Sequence, residues 1–134
     1  MRKRFDPIAD KAGEIIEYLM SSPDIPESED LQFKIRLSIE EAVENVVRYA
    51  YEDGHGWIEV GTDLDKEGLM LTIVLKDAGV PFNPLDKDDP DVTLGVDDRE
   101  IGGLGIFLCK NLMDDICYNY TDGCNVLTMK KKLN

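Results

Sequence analysis

Apolar residues recur at intervals of three and four between Pro7 and Met20, at Ile8, Ala12, Ile15, Ile16, Leu19 and Met20, and this spacing predicts an amphipathic helix. Ser21-Ser22-Pro23 ends it. A longer stripe follows at Leu31, Ile35, Ile39, Ala42, Val43, Val46 and Ala50 and predicts a second helix from about Glu27 to about Tyr51. Pro26 and the acids Glu27, Glu29 and Asp30 suit the unpaired amides and positive dipole of its first turn.

The period then falls from 3.6 to two. Ile58, Val60, Thr62 and Leu64 alternate with Glu59, Gly61 and Asp63 over Trp57 to Leu64, the pattern of a half-buried strand. Asp65-Lys66-Glu67-Gly68 supplies a hairpin loop, and the nearly unbroken apolar run Leu69 to Leu75 predicts a central strand, covered on both sides or along most of its length. It stops at Lys76-Asp77-Ala78-Gly79. Leu104, Phe107, Leu108, Leu112 and Met113 mark a third helix, opened by Gly102-Gly103 and closed by Asp114-Asp115, an unfavourable charge for a helix C-terminus. Ile116 to Tyr120, the turn Thr121-Asp122-Gly123, and Asn125 to Lys131 form a final hairpin.

Helix, helix, strand, strand, loop, helix, strand, strand is an order of segregated elements. It favours an α+β two-layer sandwich, a mixed and mainly antiparallel sheet with helices on one face, over a parallel Rossmann sheet. At 134 residues the chain is a single domain over residues 1–134, with no internal repeat. Between Asp86 and Glu100 lie seven acids and two basic residues with little periodicity, which read as a long surface loop.

Charge narrows the function. Acidic residues outnumber basic ones 28 to 15, a net charge of -13, so the overall field repels nucleic acid and anionic membrane. No stretch reaches the roughly 18 apolar residues of a membrane span, and the start has no signal-peptide core, which points to the cytoplasm. Cys109, Cys117 and Cys124 form no CxxC pair and read as small buried hydrophobes in a reducing compartment. His55, the one histidine, lies in the turn Asp53-Gly54-His55-Gly56, an exposed loop position rather than a catalytic one.

Three clusters could carry chemistry. Glu41 and Asn45 stand four residues apart on one helix face, a carboxylate and an amide oxygen placed to act as a general base and a magnesium ligand. Alone, the pair also fits a solvated face, and Glu44 with Arg48, at the same spacing, reads as a surface ion pair. Asp77-Ala78-Gly79-Val80-Pro81-Phe82-Asn83-Pro84 follows an apolar strand, where the aspartate can accept from an exocyclic amine and the glycine lets a flat ring approach. It equally suits a plain turn. Gly102-Gly103-Leu104-Gly105-Ile106 opens a helix with bare amides suited to phosphate, or with glycines that allow close packing. It is neither a Walker P-loop nor a GxGxxG fingerprint.

Taken in order, Glu40-Glu41-Ala-Val-Glu44-Asn45-Val-Val-Arg48-Tyr49-Ala50-Tyr51, then Asp77-Ala-Gly79-Val-Pro81-Phe82-Asn83-Pro84, then Ile101-Gly102-Gly103-Leu104-Gly105-Ile106 with Leu112-Met113-Asp114 behind, resemble the histidine-kinase-like (GHKL) ATPase superfamily. Within it the nearest likeness is to the bacterial anti-sigma-factor serine/threonine-protein kinases, from about Leu31 to the C-terminus, where Asn125-Val-Leu-Thr128 resembles the family's last strand.

The resemblance implies a Bergerat-type ATP site. Asn45 would hold the magnesium, Glu41 would accept the proton of the attacking hydroxyl, and Asp77 would take the adenine amine with help from Gly79 and, through water, Thr128. Gly102, Gly103, Leu104 and Gly105 would wrap the phosphates beneath a lid of about residues 85–101, in which Arg99 is a candidate phosphate contact. The implied partners are a sigma factor, which is sequestered, and a STAS-type anti-sigma-factor antagonist, which is phosphorylated. A nucleotide-gated interaction module without phosphoryl transfer is the alternative, and a plain α+β domain the bland one. The family's N-terminal strand, which helps build its homodimer, is at best vestigial in Met1 to Phe5; a homodimer is one candidate assembly.

Overall fold

The computed structural model describes residues 1–53, 55–86 and 101–134, with residue 86 and residues 101–106 described by backbone alone. Its elements are β1 (Arg2–Phe5), α1 (Ala12–Met20), α2 (Glu29–Tyr49), β2 (Ile58–Leu64), β3 (Met70–Asp77), a single 3-10 turn (Pro84–Asp86), α3 (Ile101–Leu112), β4 (Asp115–Thr121) and β5 (Cys124–Lys132). The strands form one sheet in the order β1-β2-β3-β5-β4. Every neighbouring pair is antiparallel, so the sheet is not mixed: both hairpins pair directly, and β5 returns beside β3 with the opposite direction.

The N-terminal segment corrects the expectation of a vestigial strand. Arg2 to Phe5 pair with Gly61 to Ile58 along β2, and Thr62 exchanges hydrogen bonds with Met1 through its amide (2.9 Å) and its carbonyl (3.1 Å). Three basic residues in four hid the strand from a hydrophobic pattern, because Arg2 and Arg4 instead face Glu59 at 3.7 and 3.4 Å.

Helix α1 begins five residues later than its apolar spacing predicts. Asp10 holds a left-handed backbone (φ 61°), which no helix can continue through, although Ile8 is fully buried ahead of it. Helix α2 starts where Ser28 caps it, its side chain accepting from the Leu31 amide at 3.3 Å. Its buried residues Ile35, Ile39, Ala42 and Val43 lie against Leu71, Ile73 and Leu75 of β3 and Leu127 and Met129 of β5 within one core.

Strand β3 alternates buried and half-buried residues strictly, so its continuous apolar run is covered by helices on one face only. Asp114 and Asp115 are no anomaly after α3: Asp114 Oδ2 accepts from the Lys132 amide at 2.7 Å, which holds its carboxyl below the usual range, and Lys131 donates to the Leu112 carbonyl at 2.8 Å. The cysteines divide: Cys109 is buried, Cys124 intermediate and Cys117 exposed, because β4 is an edge strand.

Candidate nucleotide site

The alternation of β3 continues past its apolar residues to its last position. Asp77 therefore takes the place of a core residue on the helix-facing side and is only 3% exposed. In the antiparallel register its partner is Asn125, the first buried residue of β5. Asp77 Oδ1 accepts from the Gly79 amide and from Asn125 Nδ2, both at 2.9 Å, whereas Oδ2 has no donor among the described residues. Burial pushes its carboxyl above the usual range, against the pull of those two hydrogen bonds.

Asn125 ties several segments together. It donates to the Val80 carbonyl at 2.9 Å and accepts from the Phe82 amide at 3.1 Å and from the Tyr118 hydroxyl. Tyr51 clamps the neighbouring turn, donating to the Trp57 carbonyl at 2.6 Å and accepting from the Ala78 amide at 2.8 Å.

Gly79 has a structural reason to be glycine. A Cβ there would meet the Ala50 carbonyl oxygen at 2.0 Å and the Ala50 carbonyl carbon at 2.6 Å, at the point where α2 ends and Val80 donates to Ala50. Its missing side chain thus admits the end of α2, a neighbour the sequence does not reveal.

Beside Asp77 lies a cavity of about 30 Å³, lined by Asn45, Val46, Leu75, Asp77 and Asn125 and by Tyr49, Phe82 and Tyr118. Tyr49 and Phe82 are stacked, with centroids 5.5 Å apart. Glu41 lies one turn before Asn45 on α2 and is half-buried. Burial raises its carboxyl first, the charges of Glu44 and Glu40 add to that, and Arg48 opposes. Its charge also reaches Cys109 on α3, whose thiol burial pushes up to about 12. Neither the Glu41 nor the Asn45 side chain has a hydrogen-bond partner among the described residues.

The structure brings Asn45 and Asp77 to one cavity and leaves Glu41 a turn away. Gly102, Gly103, Leu104 and Gly105 lie within the first turns of α3 itself rather than in a loop before it. The lid lies outside the described residues except at its ends, and Arg99 lies outside them entirely. Thr128 does not join the site: it pairs with Val74 and Cys117, odd-numbered β5 residues face the helices, and Thr128 lies on the other side of the sheet. Glu44 and Arg48 form no ion pair; Arg48 sits 5.9 Å from the Tyr49 ring centroid. His55 is exposed beside Asp53, as expected.

Asn125, Tyr118, Tyr49 and Phe82 were not assigned from sequence. A signal for Asn125 did exist: counting by twos from the Asp122-Gly123 turn puts one polar residue at the head of the apolar row Leu127, Met129.

Comparison with known proteins matches residues 11–131 to the histidine kinase-like ATPase domain. The chain belongs to this family. Among curated relatives, it is 28% identical over 99 residues to the serine/threonine-protein kinase BtrW of Bordetella bronchiseptica, covering 74% of this chain and 69% of that protein. It is 34% identical over 100 residues to the serine-protein kinase RsbW of Bacillus cereus (strain AH187), and likewise to that of Bacillus anthracis (strain CDC 684). These matches cover 72% of this chain and 61% of each RsbW protein, less than two thirds of their length.

The histidine kinase-like ATPase family implies ATP, and the donor set fits it. Asp77 Oδ2 is a buried acceptor with no donor among the described residues, at a cavity lined mainly by apolar and aromatic groups with the carboxamides of Asn45 and Asn125. No group of three or more His, Cys, Asp or Glu side chains among the described residues could hold a metal ion unaided, so a magnesium ion here would rely on phosphate oxygens with Asn45. No described helix is long and apolar enough to cross a membrane.

Proposed function

We propose that this chain binds ATP with magnesium, phosphorylates a serine or threonine hydroxyl of a STAS-type antagonist, and sequesters a sigma factor in the bacterial cytoplasm. The observation that carries the proposal is the buried Asp77 with one uncommitted oxygen, in the same cavity as Asn45 and one helical turn from Glu41. The family resemblance gives these three residues the roles of adenine acceptor, magnesium ligand and general base.

When bound, ATP supplies the phosphoryl group and magnesium neutralises its charge. Asp77 accepts a hydrogen bond from the exocyclic amine of the base, and the aromatic rings of Tyr49, Phe82 and Tyr118 supply flat apolar surface. The amides of Gly102 and Gly103 lie in the first turn of α3, at its positive end, where phosphate oxygens are favoured, and Gly105 follows one turn in. Asn45 offers an oxygen to the magnesium. Glu41, whose carboxyl is already raised, accepts the proton as the partner's hydroxyl attacks. The net charge of -13 suits a partner with a basic face.

Glu41→Gln tests the enzymatic part. Transfer of labelled γ-phosphate to the antagonist should fall by about 10²- to 10⁴-fold, while calorimetric ATP affinity stays close to that of the parent. Transfer at the parental rate would remove Glu41 from the mechanism. ATP binding without any transfer by the parent would leave a nucleotide-gated binding module.

A further inference from the structure

We propose that Asn125 sets the base selectivity of the site: its carboxamide commits one oxygen of Asp77 to the protein and leaves the other as the acceptor that recognises a purine amine. The inference rests on the nucleotide-binding reading of the cavity and concerns a residue to which that reading gives no role.

Asn125 heads the helix-facing row of β5, followed by Leu127 and Met129, and is 7% exposed. An aliphatic side chain would continue that row, so apolar packing does not account for a carboxamide there. Its hydrogen-bonding capacity is used in full. Nδ2 donates to Asp77 Oδ1 and to the Val80 carbonyl, both at 2.9 Å, and Oδ1 accepts from the Phe82 amide and the Tyr118 hydroxyl. A flipped amide would set its oxygen against two acceptors and its NH₂ group against the Phe82 donor. One orientation is therefore fixed.

The fixed amide fixes Asp77 in turn. With Gly79 and Asn125 both donating to Oδ1, rotation of the carboxylate would break two hydrogen bonds, so Oδ2 is the oxygen offered to a ligand. Such an acceptor favours a 6-amino purine over one with no amine, because only the former can pair with it. Asn125 is thus a positioning residue acting through Asp77, and it also holds Phe82 and Tyr118 at the cavity wall.

The test is a cycle of two ligands and three proteins. The full chain, Asn125→Asp and Asn125→Leu are titrated calorimetrically, with magnesium, against ATP and against purine riboside triphosphate, which lacks the 6-amino group. Asn125→Asp keeps the shape and removes the donor; Asn125→Leu matches the apolar row. Circular dichroism reports whether each is folded, and if Asn125→Leu is not, the isosteric variant carries the comparison. The parent is expected to favour ATP by roughly tenfold or more, and the variants to lose that preference to within about twofold, with ATP affinity taking most of the loss. Equal weakening of both nucleotides, with the preference kept, would overturn the inference and leave Asn125 a structural residue. A parent that binds ATP without favouring the amine would remove both Asp77 and Asn125 from base recognition. A parent that binds no nucleotide would remove the proposed function itself.

Discussion

The two ends of the candidate site are built differently. At the strand end, Asp77, Gly79, Val80, Phe82, Tyr118 and Asn125 share one hydrogen-bond network, in which Asp77 Oδ2 has no donor among the described residues. On the helix face, the side chains of Glu41 and Asn45 have no hydrogen-bond partner among the described residues, and the two are placed by the spacing of α2. Under the proposed function the difference follows the ligand. A neutral base brings few strong contacts, so the protein must fix its acceptor in advance; phosphates and a divalent ion bring charge enough to order open groups when they arrive.

The strongest way to break this contrast is to loosen the strand end. Gly79→Ala would put a Cβ 2.0 Å from the Ala50 carbonyl oxygen, an overlap with backbone that side-chain motion cannot relieve. Urea unfolding should show a loss of about 3 kcal/mol, with ATP affinity falling as Asp77 and the Val80 segment shift. Full stability in that variant would mean that the strand end already yields easily, and the contrast with α2 would disappear.

Asp77→Asn separates recognition from stability. Replacing the free oxygen by an NH₂ group sets donor against donor at the purine amine, so ATP affinity should fall by about 2 kcal/mol, or roughly thirtyfold. Stability should move the other way with pH. Asp77 titrates higher in the folded chain than in the unfolded one, so between those two values the fold binds the extra proton, and stability declines as pH rises through that window. Parent and variant unfolded side by side should differ by that slope, and at neutral pH the variant should be at least as stable. A variant that loses stability at neutral pH would mark Asp77 as a structural residue.

The fold was legible wherever burial imposed a period. The stripe of α2 and the alternation of β2 yielded element types and faces directly, because each buries one side against the core. What escaped was set by pairing rather than by apolar content. Strand β1 carries Arg2, Lys3 and Arg4 and is held by β2, and the start of α1 is decided by one left-handed residue, Asp10. In the site, Glu41, Asn45 and Asp77 could be named because an ordered trio of motifs carried them. Asn125 could not, since its importance lies in a cross-strand partner that only the register of β3 against β5 supplies. A second reason for Gly79, the end of a helix packed against it, also stayed hidden, because Ala50 is distant in sequence.

The smallest expected effect is the most direct check on which face of the sheet belongs to the site. Thr128 lies opposite Val74 on β3 and Cys117 on β4, one residue out of phase with Leu127 and Met129, and so faces away from Asp77. Thr128→Val preserves its shape and its preference for a strand while removing the hydroxyl. Calorimetry should find ATP affinity within about twofold of the parent, and thermal unfolding a stability within about 0.5 kcal/mol. A tenfold loss of affinity would place the Thr128 hydroxyl in the nucleotide site after all. That would require β5 to pair with β3 one residue away from the observed register, which would turn Asn125 to the outer face and undo the network on which the contrast between the two ends depends.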